Sequence, residues 1–392
     1  MTHHDFSALH AAMRAQVDQQ FLPGVSTALM HGREMVDRFC YGFADREAGT
    51  ALREDHIFRV FSNTKLVTSC AVMLLLEDAR IKLDDPIEAY IPELGGLQVL
   101  RPGATRIDDT EPARSPITIR HLMTHTSGLS YGIFDPGTLH FAAYNQRGVA
   151  NRTQPLADMM TVLAGLPLSF QPGTQWEYSV ATDVLGRLVE IVCGTSFGEV
   201  LQSRIFGPLG MGDTDFWVPE AKRERLCALY VGVDLTNPTR PGLLRADDKP
   251  YPGAYTSKLP RESGGGGLVS TLGDTVRLLQ SLIPGGTTLL KAETLELMWR
   301  SQLPAGLCVQ FPNVPRMQGR GFALGSSVAT GPVPGNPAEA LGEVGWGGLA
   351  GTIWWINPRI GIAAVLMTQR WFGFGNPYAI EFKQQAYRAM GF

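Results

Sequence analysis

Three side chains at two places in the sequence have the types and spacing for acyl transfer: Ser62, Lys65 and Tyr178. Ser62-Asn63-Thr64-Lys65 is the only Ser-x-x-Lys string in the chain. Residues three apart on a helix share a face, so we expect the Lys65 ammonium to reach the Ser62 hydroxyl. A neighbouring amine that shares the proton turns a serine into a nucleophile. The alternative is a serine helix cap followed by a surface lysine.

Tyr178 is the candidate for the proton relay. It follows the loop signal Gln171-Pro172-Gly173 and precedes a predicted helix at 182–192, so a loop would present its phenol to a cleft. A phenol can carry protons for a serine when a cation stabilises its phenolate. The alternative is a tyrosine of the core or of a pocket rim.

A third element, the glycine-rich stretch at 345–351, predicts an oxyanion hole. Glycines let the backbone approach a substrate closely, so the Leu349 N–H would act together with the Ser62 N–H as a pair of donors. The alternative is an ordinary glycine-rich turn before a strand at 352–356. The predicted substrate pocket consists of two aromatic residues and part of this stretch: Tyr131, Trp176, Trp346, Gly347 and Gly348.

The elements that position these residues follow from hydrophobic periodicity. Strands come first, as a hairpin of β-type runs at 24–30 and 34–41. A strand-like segment at 57–61 then leads into a buried amphipathic helix from Leu66 to about Ile81. The helical segments that follow are predicted at 156–164, 182–192 and 197–205. The C-terminal part is predicted to hold helices at 271–282 and 291–300, strands at 351–356 and 360–367, and a last helix at 378–390.

The three elements, in this order, resemble the serine β-lactamase and penicillin-recognising family. The resemblance is strongest to its carboxylesterase branch, the family VIII esterases. Four stretches resemble family landmarks and together run along nearly the whole chain: Phe58-Arg59-Val60-Phe61-Ser62-Asn63-Thr64-Lys65, Leu122-Met123-Thr124-His125-Thr126-Ser127-Gly128-Leu129, Ile205-Phe206-Gly207-Pro208-Leu209-Gly210-Met211 and Gly265-Gly266-Gly267-Leu268-Val269-Ser270-Thr271.

The resemblance implies an α+β fold of the β-lactamase and DD-peptidase type. An antiparallel sheet built from both termini would be flanked by helices, and a mostly helical domain would be inserted. One β-lactamase-related domain would cover 1–392, with an α/β subdomain at 1–61 and 262–392 and a mostly helical subdomain at 62–261. Ser62 would be acylated, Lys65 and Tyr178 would move protons, and water would release the acid.

Two departures from the family pattern indicate the substrate. Members that process β-lactams usually carry a cation where this chain has Trp346, and that cation binds a substrate carboxylate. The second element usually has Asn where this chain has Val180, which cannot hydrogen-bond an amide. Both departures favour short, neutral carboxylic esters over β-lactams and peptides.

Composition and charge limit the classes of molecule that this protein is expected to bind. A net charge of −3 over 392 residues predicts no nucleic-acid surface, and no window reaches the length of a membrane span. Five scattered cysteines without a Cys-x-x-Cys pair are interpreted as inert thiols. The N-terminal stretch carries Asp5 and Arg14 where an export signal would be apolar, which predicts a cytoplasmic protein. We expect a small-molecule ester substrate, no cofactor and no metal, and the sequence leaves the oligomeric state open.

Two further motifs have simpler explanations. Ser196 lies in a Gly-x-Ser-x-Gly string, but the preceding segment is predicted helical and no histidine follows His140, so we interpret it as a helix cap. His121 and His125 have the spacing of metal ligands but no third ligand nearby. For the whole chain, an acyltransferase on the same fold is the main alternative to an esterase. A β-lactamase or peptidase and a non-catalytic binding protein are weaker alternatives.

Overall fold

Strands from both ends of the chain form one antiparallel sheet in the computed structural model, which describes residues 4–312, 314, 316–373 and 376–392. The strands of these residues are β1 (Gly24–His31), β2 (Glu34–Asp45), β3 (Thr50–Ala51), β4 (Phe58–Arg59), β5 (Gln98–Leu100), β6 (Thr110–Pro112), β7 (Tyr230–Gly232), β8 (Leu243–Arg245), β9 (Val269–Ser270), β10 (Arg320–Phe322), β11 (Ser327–Ala329), β12 (Val344–Gly347), β13 (Ile353–Asn357), β14 (Ile362–Met367) and β15 (Arg370–Trp371). The main sheet has the order β10-β11-β12-β13-β14-β1-β2-β3. The predicted sheet from both termini is confirmed.

Helices cover both faces of this sheet. Those of the described residues are α1 (Ser7–Asp18), α2 (Thr64–Glu77), α3 (Ile119–Met123), α4 (Leu139–Gln146), α5 (Leu156–Ala164), α6 (Ala181–Cys193), α7 (Phe197–Leu201), α8 (Gly207–Leu209), α9 (Leu272–Ser281), α10 (Ala292–Trp299) and α11 (Pro377–Ala389). Alternate residues of β13 serve different cores: Trp354 packs in the cluster that contains α2, and Trp355 in the cluster that contains α1 and α11. A sheet buried on both faces has continuous apolar strands, which is why every residue of β14 is buried.

The chain begins with a helix, so the expectation that strands come first is wrong. Leu9, Met13 and Val17, spaced four apart, form the buried face of α1 and pack in one cluster with Phe382 and Tyr387 of α11. This spacing is the ordinary signature of an amphipathic helix. The helix was therefore predictable from the sequence.

Two further elements differ from their predictions. Helix α2 is buried on every side from Thr64 to Leu75, and is therefore a central core helix rather than an amphipathic one. The helix predicted at 197–205 ends as α7 at Leu201 and continues as a π-helix, Gln202–Phe206. Among the described residues, no helix combines the length and the apolar content that crossing a bilayer requires.

The third element also has a different structure. Residues 345–347 belong to the strand β12, which pairs with β13 through partners such as Trp346 and Trp354. The predicted turn is therefore confined to the residues between β12 and β13. The predicted division into subdomains stays a prediction.

Candidate active site

Ser62 lies in a 3-10 turn, Phe61–Asn63, directly before α2, and not on the helix itself. The strand predicted at 57–61 is only two residues long, and Phe61 adopts a left-handed backbone conformation with φ of 43°. Such a conformation is costly for a bulky residue and persists where packing enforces it. The Phe61 ring is held by Tyr255 and Trp371, with centroids at 5.5 and 5.4 Å.

Ser62 and Tyr178 meet in front of α2. The Tyr178 hydroxyl donates a hydrogen bond of 2.7 Å to Ser62 Oγ. The Ser62 side chain is half-buried, whereas Tyr178 is buried. A nucleophile must be accessible to the substrate and must lie within hydrogen-bond reach of a group that can take its proton. This pair meets both requirements.

Lys65 contacts the phenol rather than the serine. Its ammonium donates a hydrogen bond of 2.6 Å to the Gly265 carbonyl oxygen and lies 4.6 Å from the centroid of the Tyr178 ring. Among the hydrogen bonds of the described residues there is none between Lys65 and Ser62, so the predicted direct contact is not observed. The ammonium is instead bound by the Gly265 carbonyl of a segment that is distant in sequence. A cation over an aromatic ring is attracted to it.

The glycine-rich segment 264–267 runs against the first turns of α2. Thr68 Oγ1 donates to the Gly264 carbonyl at 2.8 Å, and the Leu268 N–H donates to Thr64 Oγ1 at 3.1 Å. These bonds bring the segment's carbonyl groups to the Lys65 ammonium. They account for the four consecutive glycines as close backbone packing.

Gly265 lies between Asp183 and Lys65. A Cβ atom there would lie 2.6 Å from a carboxylate oxygen of Asp183 and 3.5 Å from Lys65 Nζ. Asp183 in turn accepts hydrogen bonds from the Gly265 N–H at 3.3 Å and from Ser263 Oγ at 2.5 Å. Asp183 is a functional neighbour that the sequence analysis missed. Its signal was a carboxylate on the buried face of the helix that follows Tyr178.

Aromatic rings enclose Tyr178. The Trp346 indole N–H donates to Tyr178 Oη at 3.2 Å, and Tyr131 stacks on the phenol ring with centroids 5.4 Å apart. The other rings around it are Phe134 at 5.6 Å, Phe311 at 5.6 Å and Trp176 at 6.4 Å. Burial and the neighbouring Tyr178 raise the pKa of Tyr131 well above its usual value, so the Tyr131 phenol stays protonated. Three predicted pocket residues therefore share one cluster with the predicted relay.

The turn after β12 lies against the nucleophile segment. A Cβ atom on Gly348 would come within 2.3 Å of the Val60 carbonyl oxygen, and the Gly348 N–H donates to the Thr352 carbonyl at 2.7 Å. Within the described residues, neither the Leu349 N–H nor the Ser62 N–H has a hydrogen-bond acceptor. Both groups are therefore available to an incoming oxygen, and their joint role as an oxyanion hole stays a prediction.

Two ionisable groups beside Tyr178 were missed as neighbours of the site. His125 is fully buried, its Nδ1 lies 3.0 Å from Ser179 Oγ, and its ring centroid lies 4.9 Å from that of Tyr178. Burial and the Lys65 charge lower the pKa of His125 well below its usual value, so this imidazole is neutral. Burial, assisted by the charge of Asp135, raises the pKa of Glu177 to about 7.

The motifs that were set aside have structural roles. Ser196 caps α7, accepting from the Glu199 N–H at 3.3 Å and donating to the Glu199 carboxylate at 3.0 Å. This confirms the interpretation as a helix cap. His121 forms part of a similar capping box at the start of α3, where its Nδ1 accepts from the Thr118 N–H at 3.2 Å.

Comparison with known proteins identifies the family. The sequence pattern of the Beta-lactamase family matches residues 9–387. This chain belongs to the Beta-lactamase family. Esterase EstB of Burkholderia gladioli is 30% identical over 404 residues, which span 98% of this chain and 96% of that protein.

A further relative and a solved structure extend the comparison. Monacolin J acid methylbutanoyltransferase of Aspergillus terreus is 29% identical over 81% of this chain and 78% of its own length. Among solved structures, EstCE1, described as a hydrolase with promiscuous acyltransferase activity, has a TM-score of 0.80 at 24% identity and covers 97% of both chains. The β-lactamase and penicillin-binding-protein fold expected from the sequence is confirmed.

Proposed function

We propose that this chain is a serine carboxylesterase that hydrolyses esters through an acyl-enzyme on Ser62. The observation that carries the proposal is the 2.7 Å hydrogen bond between Tyr178 Oη and Ser62 Oγ, with the Lys65 ammonium 4.6 Å from the phenol ring centroid. The similarity to Esterase EstB over 98% of the chain supports ester hydrolysis.

The proposed reaction has two halves. The first begins once the Tyr178 phenol has lost its proton to solvent: the phenolate then takes the Ser62 hydroxyl proton while Oγ bonds to the ester carbonyl carbon. The carbonyl electrons move onto the oxygen, where the Ser62 and Leu349 N–H groups stabilise the charge. As the carbonyl re-forms, the bond to the alcohol oxygen breaks and Tyr178 returns its proton to that oxygen, which leaves the acyl group on Ser62.

In the second half, water replaces the alcohol. Tyr178 takes one proton from the water as its oxygen attacks the acyl carbon, and gives that proton to Ser62 Oγ when the acid leaves. The Lys65 ammonium lies over the Tyr178 ring, and the Trp346 indole N–H donates a hydrogen bond to the phenol oxygen. Both groups stabilise the negative charge that Tyr178 carries between these steps. Serine and tyrosine are restored in their starting states.

The surroundings of the site support short, neutral esters as substrates. Trp346 places an indole where a substrate carboxylate would need a cation, and its ring packs 5.3 Å from that of Tyr178. Val180 is buried, and its backbone N–H donates to the Ser130 carbonyl at 3.1 Å. The valine side chain has no amide that could hydrogen-bond a substrate at this position. The cytoplasmic location predicted from the sequence stays a prediction, which cell fractionation would test.

Trapping with an ester-like phosphonate tests the nucleophile, and p-nitrophenyl acetate tests the reaction. The wild-type protein should form one covalent adduct on the Ser62 peptide and release a stoichiometric burst of nitrophenol. The adduct should disappear in Ser62→Ala and persist in Ser196→Ala, the matched control. An adduct on Ser196 would overturn the assignment, and a missing burst would favour the non-catalytic binding protein. Nitrocefin turnover as fast as ester turnover would favour a β-lactamase.

An acyltransferase is the second candidate, favoured by the similarity to monacolin J acid methylbutanoyltransferase. It uses the same acyl-enzyme but an alcohol or amine in place of water. Product analysis with p-nitrophenyl acetate and an added alcohol separates the two. We expect free acid as the main product, and a majority of acylated alcohol at modest alcohol concentration would decide for the transferase.

A further inference from the structure

A buried side-chain hydrogen bond joins the two segments that carry the proposed oxyanion donors. Asn63 Nδ2 donates to Thr352 Oγ1 at 3.1 Å, and both residues are buried. Asn63 directly follows Ser62. Thr352 ends the turn that contains Leu349, and its carbonyl accepts the Gly348 N–H. The bond therefore links the residue after Ser62 to the end of the turn that contains Leu349, across 289 positions of sequence.

The direction of this hydrogen bond follows from its surroundings. The Thr352 hydroxyl donates its only proton to the Val60 carbonyl at 3.4 Å, so it accepts from the Asn63 amide. A Cβ atom on Gly348 would come within 2.4 Å of Thr352 Oγ1. Glycine at 348 thus leaves the room that the threonine hydroxyl needs between the two segments.

Stability alone does not account for an asparagine at position 63. Its Oδ1 is buried and has no hydrogen-bond partner within the described part of the chain. Leaving a buried amide half satisfied opposes folding, whereas an apolar side chain of similar shape would not carry this cost. The amide must therefore serve something other than the core.

We propose that Asn63 is a positioning residue that sets the distance between the Ser62 and Leu349 N–H groups through its hydrogen bond to Thr352. An oxyanion is stabilised only when both donors lie within about 2.7–3.1 Å of one point, so a small displacement of either segment weakens the pair. This role rests on the proposed function, since it concerns the transition state of Ser62 chemistry. Asn63 itself contacts no substrate atom in this assignment.

Isosteric variants test the proposal. Asn63→Leu and Thr352→Val each remove the hydrogen bond without changing the volume greatly, while Thr352→Ser keeps the hydroxyl. Ser69→Ala is the matched control, because Ser69 is a buried hydroxyl of α2 without a hydrogen-bond partner in the described residues. The measurements are kcat and KM for p-nitrophenyl acetate, the rate of phosphonate labelling of Ser62, and Tm.

The first two variants should lower kcat and the labelling rate about ten-fold or more, with KM changed less than about three-fold. Tm should not fall in Asn63→Leu, whereas it should fall in Thr352→Val, which leaves the Asn63 amide and the Val60 carbonyl without their hydroxyl partner. The double variant should be no slower than Thr352→Val alone, since the Asn63 hydrogen bond is already absent there. Thr352→Ser should approach the wild type. Wild-type labelling in Asn63→Leu, or losses that multiply in the double variant, would overturn the proposal. If the wild type is labelled on Ser62 but turns over no ester, the proposed function fails while labelling still tests the positioning role.

Discussion

The phenolic oxygen of Tyr178 lies 2.7 Å from Ser62 Oγ although 116 positions separate the two residues in the chain. The contact forms because α2 packs against α6, which brings the turn before α2 and the loop before α6 next to each other. Lys65 then lies beneath the phenol rather than beside the serine, 4.6 Å from the ring centroid. The charge of Lys65 therefore acts on Ser62 through Tyr178, which contacts both residues.

Replacement of this phenol is the first prediction. Tyr178→Phe keeps the aromatic packing but removes the atom that exchanges a proton with Ser62, so kcat for p-nitrophenyl acetate should fall roughly 10²-fold or more. Lys65→Ala should have a similar effect. Stopped-flow measurement of the nitrophenol burst separates acylation from deacylation. Near-normal turnover in Tyr178→Phe would remove this residue from the mechanism.

Gly265→Ala should impair catalysis through Lys65. The added Cβ would lie 2.6 Å from the Asp183 carboxylate and 3.5 Å from the ammonium, so either that carboxylate or the backbone that holds Lys65 must shift. We expect kcat to fall at least about ten-fold, as for other displaced catalytic groups. The control is Gly273→Ala at the start of α9, where the Cβ meets its nearest neighbour at an ordinary 3.6 Å. Equal rates in the two variants would contradict the prediction.

Phe311→Ala should alter the preference for acyl-chain length. The Phe311 ring lies 5.6 Å from that of Tyr178 and 6.3 Å from that of Trp346, and so fills space beside the reacting groups. Removing it should raise kcat/KM for octanoate relative to acetate esters of p-nitrophenol by about ten-fold, the scale of a few buried methylenes. Val314→Ala, at an exposed position nearby, is the control. An unchanged profile would place Phe311 outside the pocket.

The raised pKa of Glu177 predicts that the stability of the folded protein depends on pH. Burial raises the pKa of its carboxyl from 4.5 to about 7 in the folded protein. Between these values the folded state binds more protons than the unfolded state, so stability should fall as pH rises from about 4.5 to about 7. Glu177→Gln should flatten the change of Tm between pH 5 and 8, and Tm curves that stay parallel to the wild type would contradict this. Glu224→Gln, at an exposed position of a 3-10 helix, is the control.

Local patterns in the sequence accounted for the elements whose residues repeat with one period. Helix α5 has the bounds that its hydrophobic periodicity predicts, and the apolar runs of β13 and β14 identify strands of a buried sheet. The spacing of Leu9, Met13 and Val17 carries the same information for α1. Periodicity is informative here because each of these elements buries a face in a hydrophobic cluster.

The sequence by itself determined the family, the sheet from both termini and the residue types that acyl transfer needs at Ser62, Lys65 and Tyr178. These depend on residue identity and local order, which are written along the chain. Only the tertiary structure decided that Lys65 contacts Gly265, that Phe61 is held in a left-handed conformation, and that Asn63 meets Thr352. Each of these is fixed by packing between distant segments, and no local periodicity records which distant atoms will become neighbours.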